Sequence, residues 1–143
     1  MWIFALSLNI LHLAYHQITT QIDFYPFNNI RHYTLKERLL EVSINGLFMI
    51  FPVVALLLDN SVMIQISCWI LGSIIIGEFL SWWRHYFFGP TQSWQETYDR
   101  IFKDTIKVLP PIKDNPIPNL EHCILHSITI LSFLTTLMYY LNK

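Results

Sequence analysis

A chain of 143 residues, 53% hydrophobic and only 13% charged, lies well away from the soluble balance of roughly half apolar and a quarter charged, and points to one membrane domain. A formal net charge of -1 argues against a nucleic-acid binder, which needs a concentrated basic face to displace counterions from phosphate. Two cysteines, Cys68 deep in one apolar segment and Cys123 at the edge of another, exclude a disulfide framework.

A helix crosses the hydrocarbon core with roughly 20 predominantly apolar residues. Four stretches qualify, at about residues 2–22, 39–58, 62–83 and 123–141. The predicted fold is therefore all-α: residues 1–143 form a single integral membrane four-helix bundle. The first stretch has no basic n-region and no small-residue cleavage site, so it is expected to stay in place and not to be removed as a signal peptide. It carries Asn9, His12, His16 and Gln17, which a bundle tolerates when they face inward.

"TLKE" has the spacing of a capping box, which makes Thr34 the N-cap and starts the second helix ahead of the hydrocarbon. Pro52 removes a backbone donor and is expected to kink that helix. "LDNS" leaves room only for a tight turn, so the second and third helices are antiparallel neighbours. The third helix carries Glu78 and runs into "SWWRHYFFGP", an aromatic anchor that ends at a Gly-Pro stop. Gly72 and Gly77 lack the four-residue spacing of a tight helix dimer and are expected to ease packing within the bundle.

Beyond the stop, Trp94, Tyr98, Ile101, Phe102, Thr105 and Leu109 recur at intervals of three and four. That pattern predicts an amphipathic helix over about 93–109, lying on the membrane surface or folded over the end of the bundle. "LPPIKDNPIP" reads as a stiff return, and Asn119 as the N-cap of the last helix.

Four crossings put the first loop, the end of the third helix and the start of the fourth on one face. His12, His16, His32, His85, His122 and His126 all fall toward that face. At about 100° per residue, His12 and His16 lie about 40° apart, as do Glu41 and Asn45 and also His122 and His126, while Glu78 and His85 differ by about 20°. Each helix thus offers one narrow polar stripe, and lipid forces these stripes toward the bundle axis. All basic residues except Lys143 share the histidine face, which the positive-inside rule makes cytoplasmic, with both termini opposite.

This cluster predicts a metal centre with His12, His16, Glu78, His85, His122 and His126 as ligands of iron or zinc. Glu41 and Glu78 are the candidate catalytic carboxylates, and Asn9, His32 and Asn45 would hold the outer ring nitrogens. Such a centre would act on a lipid or another hydrophobic molecule, by oxidation with iron or hydrolysis with zinc. The HxxxH spacing is similar to an element of membrane desaturases and hydroxylases, but their HxxHH elements are absent, and no family is assigned. A second reading is a haem held between histidines of the first and last helices, although few small residues would open a slot for it. A third is non-enzymatic: hydrogen bonds between helices, an ion or proton path, a homo-oligomeric effector or a subunit of a membrane complex. The partners implied are the bilayer and a hydrophobic small molecule, with no nucleic acid.

Overall fold

The computed structural model describes all 143 residues. Five helices account for the architecture: α1 (Trp2–Gln21), α2 (Leu35–Leu57), α3 (Ser61–Phe88), α4 (Gln92–Ile101) and α5 (Leu120–Leu141). There are no strands, only an isolated antiparallel bridge between Lys107 and Asn119. Three helices, α2, α3 and α5, are long and apolar enough to cross a membrane. The expected fourth span, residues 2–22, forms the 20-residue α1, but its Asn, His and Gln side chains keep it out of that class.

The four long helices close into a ring in which α1 packs on α2 and α5, and α3 packs on the same two. Neighbours are antiparallel. Trp2 at the start of α1 donates its indole N–H to the Leu56 carbonyl at the end of α2 (2.7 Å), while Gln17 reaches the Val42 carbonyl near its beginning (3.1 Å). Asn9 meets Thr136 (2.9 Å) and Tyr15 meets the Glu121 carbonyl (3.0 Å), so α5 also runs against α1.

Local chemistry sets the helix ends. Thr34 caps α2 in the expected box: its hydroxyl accepts from the Glu37 amide (3.2 Å), and the Glu37 carboxylate accepts from the Thr34 amide (2.7 Å). Asn60 accepts from Met63 (3.0 Å) to start α3, and Asn119 accepts from His122 (3.1 Å) to start α5. The tight α2–α3 turn puts Asp59 at φ 47°, a left-handed geometry that aspartate tolerates better than most residues. Pro52 sits inside α2 without ending it.

Two irregularities were invisible in the sequence. α2 widens to a π-helical turn at Glu41–Asn45, and α3 does the same at Phe79–Trp83. Each slips the equivalent of one extra residue into the helix.

The expected helix over 93–109 is shorter, because α4 stops at Ile101. Tertiary pairing ends it: Ile106 donates to the Pro26 carbonyl (3.0 Å) and accepts from Leu120 (2.8 Å), which draws the chain back toward α5. The Lys107 ammonium folds onto the carbonyls of Phe102, Lys103 and Thr105, a C-terminal position that favours a cation. α4 is folded over the end of the bundle, where Tyr98, Ile101 and Phe102 form a buried cluster with Trp82.

At the opposite end Ala5, Ala55, Leu56 and Ile64 make a small apolar core. Between the two clusters runs a buried polar seam, with Asn9, His12, His16 and Thr19 of α1 on one side and Thr129, Ser132 and Thr136 of α5 on the other. The apolar side chains point outward instead, with Leu47, Val62, Trp69, Ile76 and Leu80 all exposed. In water such a belt would drive aggregation. In a bilayer it is the surface that meets the acyl chains.

Candidate functional site

Beneath α4, at the aromatic end of the ring, lies a half-open chamber of about 800 Å³. His16 of α1, Glu41 and Asn45 of α2, Glu78 of α3, and Glu121, His122 and His126 of α5 all line it. Both π turns border it, the first presenting Glu41 and Asn45 and the second Ser81 and Trp82. Turns of this kind inside helices recur at functional sites.

The hydrogen bonds fix the histidine tautomers. His122 Nδ1 faces two acceptors, Asn119 Oδ1 at 2.6 Å and Glu121 Oε2 at 3.1 Å, so it carries the proton and Nε2 keeps its lone pair. Its ring lies against Trp82, with centroids 4.1 Å apart. His126 is the converse: Trp83 donates its indole N–H to Nδ1 (3.0 Å), which leaves the ring proton on Nε2. Thr129 has one hydroxyl hydrogen and sits 2.6 Å from Glu78 Oε1 and 2.9 Å from His12 Nε2. With Glu78 ionised the hydrogen goes to the carboxylate, and His12 donates through Nε2. His16 Nε2 lies 3.4 Å from the Asn45 amide and 3.9 Å from Glu41, and Asn45 holds Glu41 at 2.6 Å.

The roof is aromatic. Trp82 meets Trp94 edge-on at 5.1 Å and Phe102 at 4.7 Å, and Tyr33 from the first loop also lines the space. Burial, reinforced by the carboxylates of Glu121, Glu41 and Glu37, pushes the Tyr33 phenol well above its usual range. The outer side is apolar: Leu40 and Phe48 of α2 and Ile66 and Trp69 of α3 line the chamber while exposed on the bundle surface. The chamber therefore has a polar inner wall, where His16, Glu121 and His126 are buried, and a mostly apolar side between α2 and α3 that also carries the half-exposed Glu41.

Of the side chains expected to meet, His16, Glu41, Asn45, Glu78, His122 and His126 line this one space. His12 reaches it only through Thr129. His85 does not join: it stacks on Trp94 at 5.2 Å outside the chamber. The π turn between Glu78 and His85 explains this, since one extra residue rotates the succeeding turn by about 100° and destroys the stripe expected from regular spacing. His32 is exposed and bonded to the Arg100 carbonyl (2.8 Å), and Asn9 is occupied by Thr136 farther along the seam. No three of the histidine, cysteine, aspartate and glutamate side chains form a group that could hold a metal ion. The six expected ligands thus do not assemble as a coordination sphere. They fall instead into separate contacts, His16 with Glu41 (3.9 Å), His122 with Glu121 (3.1 Å) and His126 with Trp83 (3.0 Å).

Glu121 was missed by sequence reasoning. It precedes His122 directly, and adjacent helical positions do not normally face each other. The two meet only because His122 turns its ring back toward the helix start, where its Nδ1 also finds Asn119. The only sequence signal was an acidic residue in the first turn, which has an ordinary explanation in the helix dipole.

The fold and site together define a helical protein with three helices apolar enough to cross a membrane and a half-open polar chamber at one end. No family model, no curated protein and no solved structure matches the chain.

Proposed function

We propose that this chain is an integral membrane protein in which α1 joins α2, α3 and α5 as a fourth crossing, and whose chamber takes a hydrophobic small molecule from the adjoining leaflet. The observation that carries this reading is the chamber's polarity gradient, with His16, Glu121 and His126 buried at its inner wall and the exposed apolar side chains of Leu40, Phe48, Ile66 and Trp69 on its outer side. An amphiphile fits such a gradient with its head inward and its chain between α2 and α3, and pockets of about 300–1,000 Å³ are of the size that small ligands use. The concentration of lysine and arginine on the loops at this end supports a cytoplasmic position for the chamber.

The polar groups of the chamber suit proton transfer to a bound molecule. His122 offers a free Nε2 while Glu121 and Asn119 orient its other nitrogen, the arrangement a general base requires. Glu78 and Glu41 supply carboxylates on facing helices. One observation favours a second reading, a proton path: the hydrogen-bonded series His12, Thr129, Glu78 leads from the chamber wall into the seam.

Tryptophan fluorescence tests the binding reading, since Trp69, Trp82 and Trp94 line the chamber. A bromine-labelled fatty alcohol added to detergent-solubilised protein is expected to quench this emission saturably. Gly77 also lines the chamber, and a Cβ added there meets nothing within 4 Å, so Gly77→Leu adds bulk at the chamber wall. This variant is expected to weaken the saturable component. Quenching that rises linearly and equally in both proteins would overturn the proposal.

A further inference from the structure

Resting on the binding reading above, we infer that the chamber's ligand is a lipophilic amine, its ammonium head held between Glu78 and the Glu121–His122 pair and its apolar chain leaving between α2 and α3.

Charge is the first argument. The lining carries the carboxylates of Glu37, Glu41, Glu78 and Glu121, and no lysine or arginine. Arg100 neutralises Glu37 from outside at 2.7 Å, while the other three carboxylates have no cation beyond whatever charge the histidines take up. A carboxylate or phosphate head entering this space meets repulsion, and an ammonium meets attraction strengthened by the low dielectric.

Free acceptors are the second. Glu78 Oε1 takes the Thr129 hydroxyl, and its other oxygen has no protein partner. His122 presents an unprotonated Nε2 once Nδ1 is held by Asn119 and Glu121. An ammonium has donors for both, and each contact is a charge-assisted hydrogen bond or close to one. Trp82 and Trp94 add aromatic rings above these groups, the companions that cations recruit in binding sites.

The third observation concerns the roof, where Tyr33 lines the chamber beside Trp82 and Trp94. The high phenol pKa of Tyr33 agrees with a negative interior, because nearby carboxylates contribute to it.

The test compares three probes of one chain length, dodecylamine, dodecanol and dodecanoate, each displacing the brominated alcohol from the full-length protein in a neutral detergent. Dodecylamine is expected to bind at least about tenfold tighter than dodecanol, the scale of one buried charge-assisted contact, with dodecanoate weakest. Glu78→Gln is expected to weaken dodecylamine by a similar factor and dodecanol by much less, so that the amine's advantage over the alcohol is lost, with circular dichroism checking the variant's fold. The ranking on the unaltered chain decides the matter even where the variant does not fold. Equal displacement by all three probes would overturn the amine assignment and leave the chamber reading intact. Absence of any saturable binding would overturn both.

Discussion

What a histidine can do is decided by which of its nitrogens is already held. His122 is held at Nδ1 by two oxygens and keeps a basic Nε2, whereas His126 accepts from Trp83 and keeps a proton donor. Two imidazoles on one helix face, one turn apart, are thus set to opposite roles by their neighbours. Spacing alone made them look like a chelating pair. A metal at His122 and His126 would find no third histidine, cysteine, aspartate or glutamate grouped with them. Protein purified in mild detergent without chelator is accordingly expected to carry iron and zinc only in substoichiometric amounts. Elemental analysis checks this, and a full equivalent of either metal per chain would restore the centre that the sequence suggested. The Soret region of the same sample decides the haem reading.

Helix starts were legible because their chemistry is local. Thr34 and Asn119 each accept from an amide three residues on, which is written into the sequence as a polar residue before an apolar run; Asn60 does the same for α3, although "LDNS" reads only as a tight turn. Helix interiors were less legible. Nothing in "EVSIN" or "FLSWW" announces a π turn, because the widening is fixed by what packs around it, and its effect on His85 does not follow from a regular 100° step. The end of α4 was missed for a related reason: its amphipathic pattern continues to Leu109, but pairing with Pro26 and Leu120 removes the chain from the helix. The Thr34 box also has a tertiary duty. Glu37 receives Thr34 on one oxygen and Arg100 of α4 on the other at 2.7 Å, so the cap that starts α2 also ties down the roof. Thr34→Ala is expected to lower stability by about 1 kcal/mol, the usual cost of losing such a cap, measured by denaturation in mixed micelles. Binding of the brominated alcohol should persist. A loss well beyond about 2 kcal/mol would mean that the box supports more than the helix end.

Along the long helices the seam between α1 and α5 is polar and much of the outer surface is apolar, while the two ends of the ring hold small apolar clusters. A bilayer would favour this arrangement, because lipid offers no hydrogen bonds: Asn9 bonds Thr136 and the Ala5 carbonyl, and Thr129 lies against His12, Glu78 and the Leu125 carbonyl. Hydropathy averages over both faces of a helix, so the inward stripe of α1 dilutes its apolar outer face and counts against it as a span. That α2 and α3 are antiparallel neighbours was legible from the tight turn between them, whereas the packing of α5 on both α1 and α3 was not. The chamber was legible only as a convergence of His16, Glu41, Glu78, His122 and His126, since its volume and mouth depend on side-chain packing. The account stands on α1 crossing with the other three helices around an occupied chamber. An experimental structure of the protein in a lipid nanodisc tests both parts at once. The predicted result is four crossings, with elongated density running from between Glu78 and His122 out past Phe48 and Trp69. A structure with α1 lying on the membrane surface, or with α2 and α3 closed over a collapsed chamber, would contradict it.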